Sequence, residues 1–130
     1  MRKKIDSSSL ALAKDVAKAA AKIKAVNLKV YDLRKVTSFT DYFVIATGTS
    51  DRHVDAIANS IVAEMKKKGV RPLGVEGQGH AQWVIVDLGD VVAHVFYGQM
   101  REIYALEKLW SDAKDIKFRA PSAKRKAKKK

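Results

Sequence analysis

The stretch Gly-Thr-Ser-Asp-Arg-His at residues 48–53 combines residue types that could bind an anion. It joins an apolar run to an amphipathic stretch, which predicts a turn from a strand into a helix whose first backbone N–H groups need acceptors. Gly48 and Ser50 would shape that turn, and Arg52 and His53 would lie beside its donors. The alternative is ordinary helix capping, in which the turn has only a structural role. The spacing matches neither a phosphate-binding loop with its lysine nor a three-glycine dinucleotide fingerprint.

Three aspartates are the next candidates, since convergent carboxylates can hold a divalent metal for phosphoryl transfer. Asp41 begins the apolar run, and Asp87 and Asp90 bracket a Leu-Gly turn. Side chains on either side of such a tight turn usually point outwards, so we predict no metal site. An enzyme that acts on nucleotides or phosphate esters remains an alternative, and it would use Ser50 and Arg52 with the last two aspartates.

The three histidines, His53, His80 and His94, fall on a predicted helix start, a loop and a strand. They lack the close repeat that places two imidazoles on one face, so neither a zinc site nor an acid-base pair is predicted. We interpret His94 as a structural histidine within a strand. The chain has no cysteine, which excludes a disulfide framework and a thiolate ligand or nucleophile. We therefore predict no catalytic residue, no metal and no cofactor.

The elements that would position these residues are helices and strands of one small domain. The run 42–46 predicts a strand that is buried on both faces, and a helix from about Arg52 to Gly69 follows it. Further predictions are a helix capped by Ser7–Ser9 and running to Lys24, a half-exposed strand at 27–33, an edge strand at 70–75, an antiparallel hairpin of 83–87 with 91–96, and a last helix at 102–113.

Net charge separates a mildly basic body from a strongly basic tail. The chain of 130 residues carries +12, but residues 117–130 hold eight Lys or Arg and no acid. We predict a single domain over 1–116 and a tail over 117–130 that is disordered when alone. Such a tail could bind phosphates in a salt-dependent way, so a nucleic-acid-binding module is a second alternative. Charges interrupt the first segment too often for it to span a membrane.

A contact surface is predicted where aromatic, Met and Arg residues gather, because these types carry binding energy at protein interfaces. Trp83 follows a loop with two glycines, and burial and exposure of its indole are both compatible with its position. The candidate partner-binding residues are Trp83, Gly77, Gly79, His80, Met100, Arg101 and Tyr104.

Four blocks of sequence, in this order and spacing, strongly resemble the ribosomal silencing factor family, also called the Iojap family. They read DYFVIATGTSDRHV at 41–54, GVEG at 74–77, WVIVDLGDVVAHVF at 83–96 and LEKLW at 106–110. The resemblance runs from about Leu10 to Asp112. It implies an α/β fold, a mixed sheet of about five strands flanked by helices, in a nucleotidyltransferase-like arrangement without the paired catalytic aspartates, and hence no enzyme.

The resemblance also implies a steric function in the cytoplasm. Family members dock on large-subunit ribosomal protein L-fourteen, block joining of the small subunit and so repress translation, and they are linked to large-subunit assembly. Trp83 matches the family tryptophan on the docking surface. Contact of the basic tail with rRNA, and a homodimer that hides the docking patch, are further expectations.

Overall fold

The computed structural model describes residues 2–36, 38–78, 82–98 and 114–116, the side chains of 2–8 and 114–116 excepted. The described residues form two helices and six strands in a mixed α/β order. The elements are α1 (Arg2–Lys22), β1 (Val26–Asp32), β2 (Tyr42–Gly48), α2 (Asp51–Lys67), β3 (Gly74–Glu76), β4 (Trp83–Asp87), β5 (Val91–Tyr97) and β6 (Lys114–Ile116). No helix among them is long and apolar enough to cross a membrane.

The strands form one sheet in the order β3-β4-β5-β2-β1-β6. Only β2 and β5 pair in parallel, and each of the other neighbouring pairs is antiparallel. The predicted mixed sheet is therefore confirmed, and the predicted hairpin is the antiparallel pair of β4 and β5. The sheet has one strand more than the expected five, because Lys114–Ile116 pairs with β1. A three-residue polar segment carries too weak a strand pattern to be predicted from sequence.

Both helices pack on the same face of the sheet. Every second residue of β2 and of β5 points towards the helices; Val44 and Val95 are examples. These residues pack against the apolar sides of α1 and α2 in one core cluster. The opposite face carries a second buried cluster, which contains Phe43, Ile45 and Phe96. All seven residues of β2 are buried, so the prediction of a strand covered on both faces is confirmed.

The helix α2 forms where the apolar spacing predicts it. The side chains of Val54, Ile57, Ala58, Ile61 and Met65 are buried against the sheet. Gly69 follows the helix with a φ of +81°, a left-handed conformation that glycine adopts without a Cβ penalty and that commonly ends helices.

The start of α1 corrects one prediction. The helix already begins at Arg2, so the serines at 7–9 lie inside it and do not cap it. Ser9 is buried, and its hydroxyl donates to Oδ2 of Asp41 at 2.8 Å instead of accepting from the backbone N–H groups of a helix start. The serine cluster resembles a cap in sequence, but this buried partner lies 32 residues away along the chain.

The edges of the sheet fit the prediction in part. β3 lies at one edge, as predicted, but it forms over Gly74–Glu76 and not over 70–75, so Pro72 precedes the strand. β1 is exposed at its start and buried at Val30 and Tyr31. The predicted half-exposed strand therefore has an exposed end and a buried end, and not one exposed face and one buried face. The predicted last helix and the basic tail lie outside the described residues.

Candidate functional site

At the turn between β2 and α2, the backbone of Gly48 packs closely against Val54 in the first turn of the helix. A Cβ on this residue would lie 2.9 Å from both the backbone nitrogen and Cγ2 of Val54, which is too close for any other residue. The carbonyl oxygen of Gly48 accepts from the N–H of Gly98 at 2.7 Å. The glycine therefore lets the first turn of α2 approach the end of β2.

Ser50 and His53 organise the start of α2 through a chain of hydrogen bonds. Ser50 is the N-cap, and its Oγ accepts from the backbone N–H of His53 at 3.0 Å. The backbone N–H of Thr49 donates to Nδ1 of His53 at 2.8 Å. Because Nδ1 accepts, Nε2 is the ring nitrogen that can donate, and it lies 2.6 Å from the carbonyl oxygen of Ile23. The imidazole thus links the turn to the end of α1.

These bonds use two of the backbone donors that an anion at the turn would need. Arg52 is exposed beside the turn and is free to approach an anion from solvent. The geometry gives Gly48, Ser50 and His53 the structural role that helix capping predicts. Anion binding by the turn with Arg52 stays a prediction.

Two of the aspartates considered as metal ligands are neighbours, because the backbone N–H of Asp41 donates to the carbonyl oxygen of Asp90 at 2.9 Å. The side chains of Asp41 and Asp87, however, accept hydrogen bonds within the fold. Asp41 accepts from Ser9, and Oδ1 of Asp87 accepts from the N–H of Gly89 at 2.9 Å within the hairpin turn. Within the described ranges, no group of three or more His, Asp or Glu side chains is placed to hold a metal ion. Asp87 therefore stabilises the turn that brings β4 back as β5.

Trp83 is held on the second face of the sheet by an aromatic group. Its ring is partly buried and packs against Phe96, with ring centroids 5.0 Å apart. The indole Nε1–H donates to Nδ1 of His94 at 3.1 Å, and the two rings are 6.0 Å apart. Both burial and exposure of the indole were compatible with the sequence, and the structure shows an intermediate degree of burial. The residue packs against the second buried cluster, and part of its surface remains accessible.

His94 is buried, with 6% of its surface exposed, and aromatic rings surround it. Phe43 meets it edge-on at 4.6 Å between centroids, and Phe96 is stacked at 6.2 Å. Burial lowers the pKa of His94 to about 4, so its ring is neutral at physiological pH. The interpretation of His94 as structural fits this environment, but its bond to Trp83 was not foreseen. The hairpin register contains the signal, since Ile85 pairs with His94 and Trp83 lies two residues along the same face.

Gly77 and Gln78, the described start of the segment before Trp83, each make a close contact. Gly77 has a φ of +93°, and a Cβ there would overlap the carbonyl oxygen of Trp83. Gln78 Nε2 donates to Oδ1 of Asn59 on α2 at 2.7 Å. Of the predicted partner-binding residues, the structure therefore brings Gly77 and Trp83 together. The other five, Gly79, His80, Met100, Arg101 and Tyr104, lie outside the described residues.

Comparisons with known proteins agree with one another. The family model described as ribosomal silencing factor during starvation matches residues 6–130. Ribosomal silencing factor RsfS of Haemophilus influenzae is 42% identical over 89 residues, which cover 68% of this chain and 87% of that protein. A crystal structure of a Chromobacterium violaceum protein has a TM-score of 0.75 at 38% identity and covers 78% of this chain and 85% of that one.

A mouse protein named for mitochondrial assembly of the ribosomal large subunit is 41% identical over 76 residues. The match covers 56% of this chain and 33% of the mouse protein. The family match also extends through the basic tail, beyond the range of about 10–112 over which the quoted motifs carry the resemblance.

Proposed function

The chain belongs to the ribosomal silencing factor family, and we propose that it binds the large ribosomal subunit through ribosomal protein L-fourteen and sterically blocks joining of the small subunit. The observation that carries this proposal is the family match over nearly the whole chain. A partly accessible Trp83 supports it, since the resemblance in sequence implies that this residue is the family's docking tryptophan. Repression of translation then follows from the block of subunit joining. Such a protein would act in the cytoplasm, where the ribosomal subunits are.

The proposed docking surface centres on Trp83. An indole that is anchored at one edge and accessible at the other offers a large apolar area that can be buried against a partner without first reorganising. We propose Gly77 as a residue that shapes the loop beside it, and Gly79, His80, Met100, Arg101 and Tyr104 as further contacts. A homodimer through the same surface would compete with docking, because one patch cannot serve two partners at once.

The basic tail would add electrostatic attraction to rRNA. Its contribution should be independent of sequence and should weaken as salt rises, since lysines that neutralise phosphates release counterions. In this proposal the tail strengthens binding but does not select the partner. The domain boundary near residue 116 is part of the same proposal.

A role in assembly of the large subunit is the second candidate, and the name of the mouse relative favours it. Both roles need binding to the large subunit, and they differ in whether the bound protein prevents subunit joining. Catalysis is a third alternative, for which Ser50, Arg52, Asp87 and Asp90 are the available residues. The hydrogen bonds of Ser50 and Asp87 already serve the fold, which disfavours it.

Subunit joining, followed by light scattering, tests the proposal directly. Purified small and large subunits are mixed at fixed magnesium and salt with the native protein, Trp83→Ala or a chain without residues 117–130. Leu73→Ala is the control for loss of an exposed apolar side chain, since Leu73 is 74% exposed and lies beside Asp87, at the other end of β4 from Trp83.

We expect inhibition by the native protein, the tail deletion and the control, and clear loss of inhibition by Trp83→Ala. Native protein that sediments with large subunits but leaves joining unchanged would replace silencing by an assembly role. No binding to large subunits would overturn both the silencing role and the assembly role. The enzymatic alternative would then remain, and an assay of metal-dependent nucleotide turnover would test it.

A further inference from the structure

Trp83 and His94 form a partly buried donor and acceptor pair at the centre of the proposed docking surface. The indole has a single donor, Nε1–H, and it is directed at Nδ1 of His94 at 3.1 Å. A flat side chain with an accessible edge could otherwise rotate about its χ angles. This hydrogen bond selects one ring orientation among those that the packing against Phe96 allows.

His94 is itself held in place. Phe43 lies edge-on to it from β2, and Phe96 is stacked beside it on β5. The ring is 6% exposed, so it has little room to turn. Its low pKa, a consequence of burial, keeps it neutral at physiological pH and therefore keeps a lone pair on Nδ1 for the indole.

We propose that His94 is a positioning residue for docking, which fixes the indole of Trp83 in the orientation that the ribosomal partner binds. The inference rests on the proposed function, since it assigns a role within the same docking surface. Its physical basis is preorganisation. A side chain that is already ordered in the free protein loses less conformational entropy when the complex forms.

The test measures the affinity of full-length protein for large ribosomal subunits in four variants. His94→Leu removes the acceptor at similar volume, and His94→Asn returns an acceptor oxygen near the position of Nδ1. Val92→Ala is the matched control, because Val92 is a buried residue of the same strand and face that is placed opposite Asp87 in the register. Trp83→Ala reports on the docking site itself.

We expect His94→Leu to weaken binding by about three- to tenfold, the loss that corresponds to one immobilised side chain. His94→Asn should restore most of that loss, and Val92→Ala should bind like the native protein even if it is less stable. Hydrogen exchange of the indole N–H gives a second readout. It should be slow in the native protein, in His94→Asn and in Val92→Ala, and fast in His94→Leu.

The outcomes separate the two proposals. If Trp83→Ala binds normally, docking through Trp83 is wrong. If Trp83→Ala is weakened but His94→Leu matches Val92→Ala, docking stands and the positioning role is overturned. Should His94→Leu fail to fold, His94→Asn decides, because native affinity combined with fast indole exchange would also overturn the inference.

Discussion

Nε2 of His53 lies 2.6 Å from the carbonyl oxygen of Ile23, so one imidazole joins the start of α2 to the end of α1. The same ring accepts the N–H of Thr49 at Nδ1. A residue whose type suggested anion binding thus satisfies backbone groups at two helix termini, which are the places where a fold leaves them without partners.

We expect His53→Ala to lower the free energy of unfolding by about 1–3 kcal/mol, because it leaves a backbone donor and a backbone acceptor without their partner. Urea unfolding measures this change. Arg52→Ala is the neighbouring control and should stay within about 0.5 kcal/mol, as is usual for an exposed side chain. Equal effects of the two substitutions would contradict the linking role of His53.

The stability of the fold should fall on mild acidification because of His94. Its pKa is lowered from the ordinary 6.5 to about 4 by burial, so the unfolded chain binds a proton more readily than the native protein between these values. The stability that the neutral ring contributes is therefore complete above pH 6.5 and is lost as the pH falls towards 4. The loss between pH 7 and pH 5 is about 2 kcal/mol.

Urea unfolding of the native protein and of His94→Asn at both pH values checks this expectation. Asparagine does not titrate, so the difference in stability between the two proteins should change by about that amount between pH 7 and pH 5. A difference that stays constant with pH would show that His94 titrates alike in the folded and unfolded chain.

Gly77→Ala should destabilise the protein more than Gly69→Ala does. Both glycines have positive φ, +93° and +81°, and alanine at such an angle costs about 1–2 kcal/mol. A Cβ at position 69 meets nothing within 4 Å, whereas one at position 77 overlaps the Trp83 carbonyl oxygen. Thermal unfolding of the two variants measures the difference, and Gly77→Ala should also weaken docking by displacing Trp83. Similar melting temperatures would show that the loop relaxes without strain.

Local patterns predicted the elements that carry their own signal. The continuous apolar run of β2 and the stripe of α2 follow directly from residue spacing, and the hairpin of β4 and β5 follows from its Leu-Gly-Asp turn. The same local reasoning misplaced the start of α1, since the partner of Ser9 is Asp41, far along the chain. β6 was missed because pairing to β1, and not its own composition, makes it a strand.

In the candidate site, too, features with a local sequence signal were predicted and features that depend on distant residues were not. Helix capping at this turn was predicted from its residue types, without choosing among Thr49, Ser50 and Asp51, and the N-cap is Ser50. Trp83 was singled out by its residue type, but neither its degree of burial nor its acceptor followed from type. The bond from Trp83 to His94 depends on how two strands align, which a prediction of separate elements does not fix.

The parallel pairing of β2 with β5 has a consequence for synthesis of the chain. β2 is complete at Gly48, but its neighbour in the middle of the sheet ends only at Tyr97, after α2, β3 and β4 have been made. Until then β2, whose seven residues are all buried in the complete fold, has β1 on one side and no strand on the other. The centre of the sheet can form only when most of the chain has left the exit tunnel. This protein is therefore incompletely folded during much of its synthesis on a ribosome, the particle that its relatives are named for silencing.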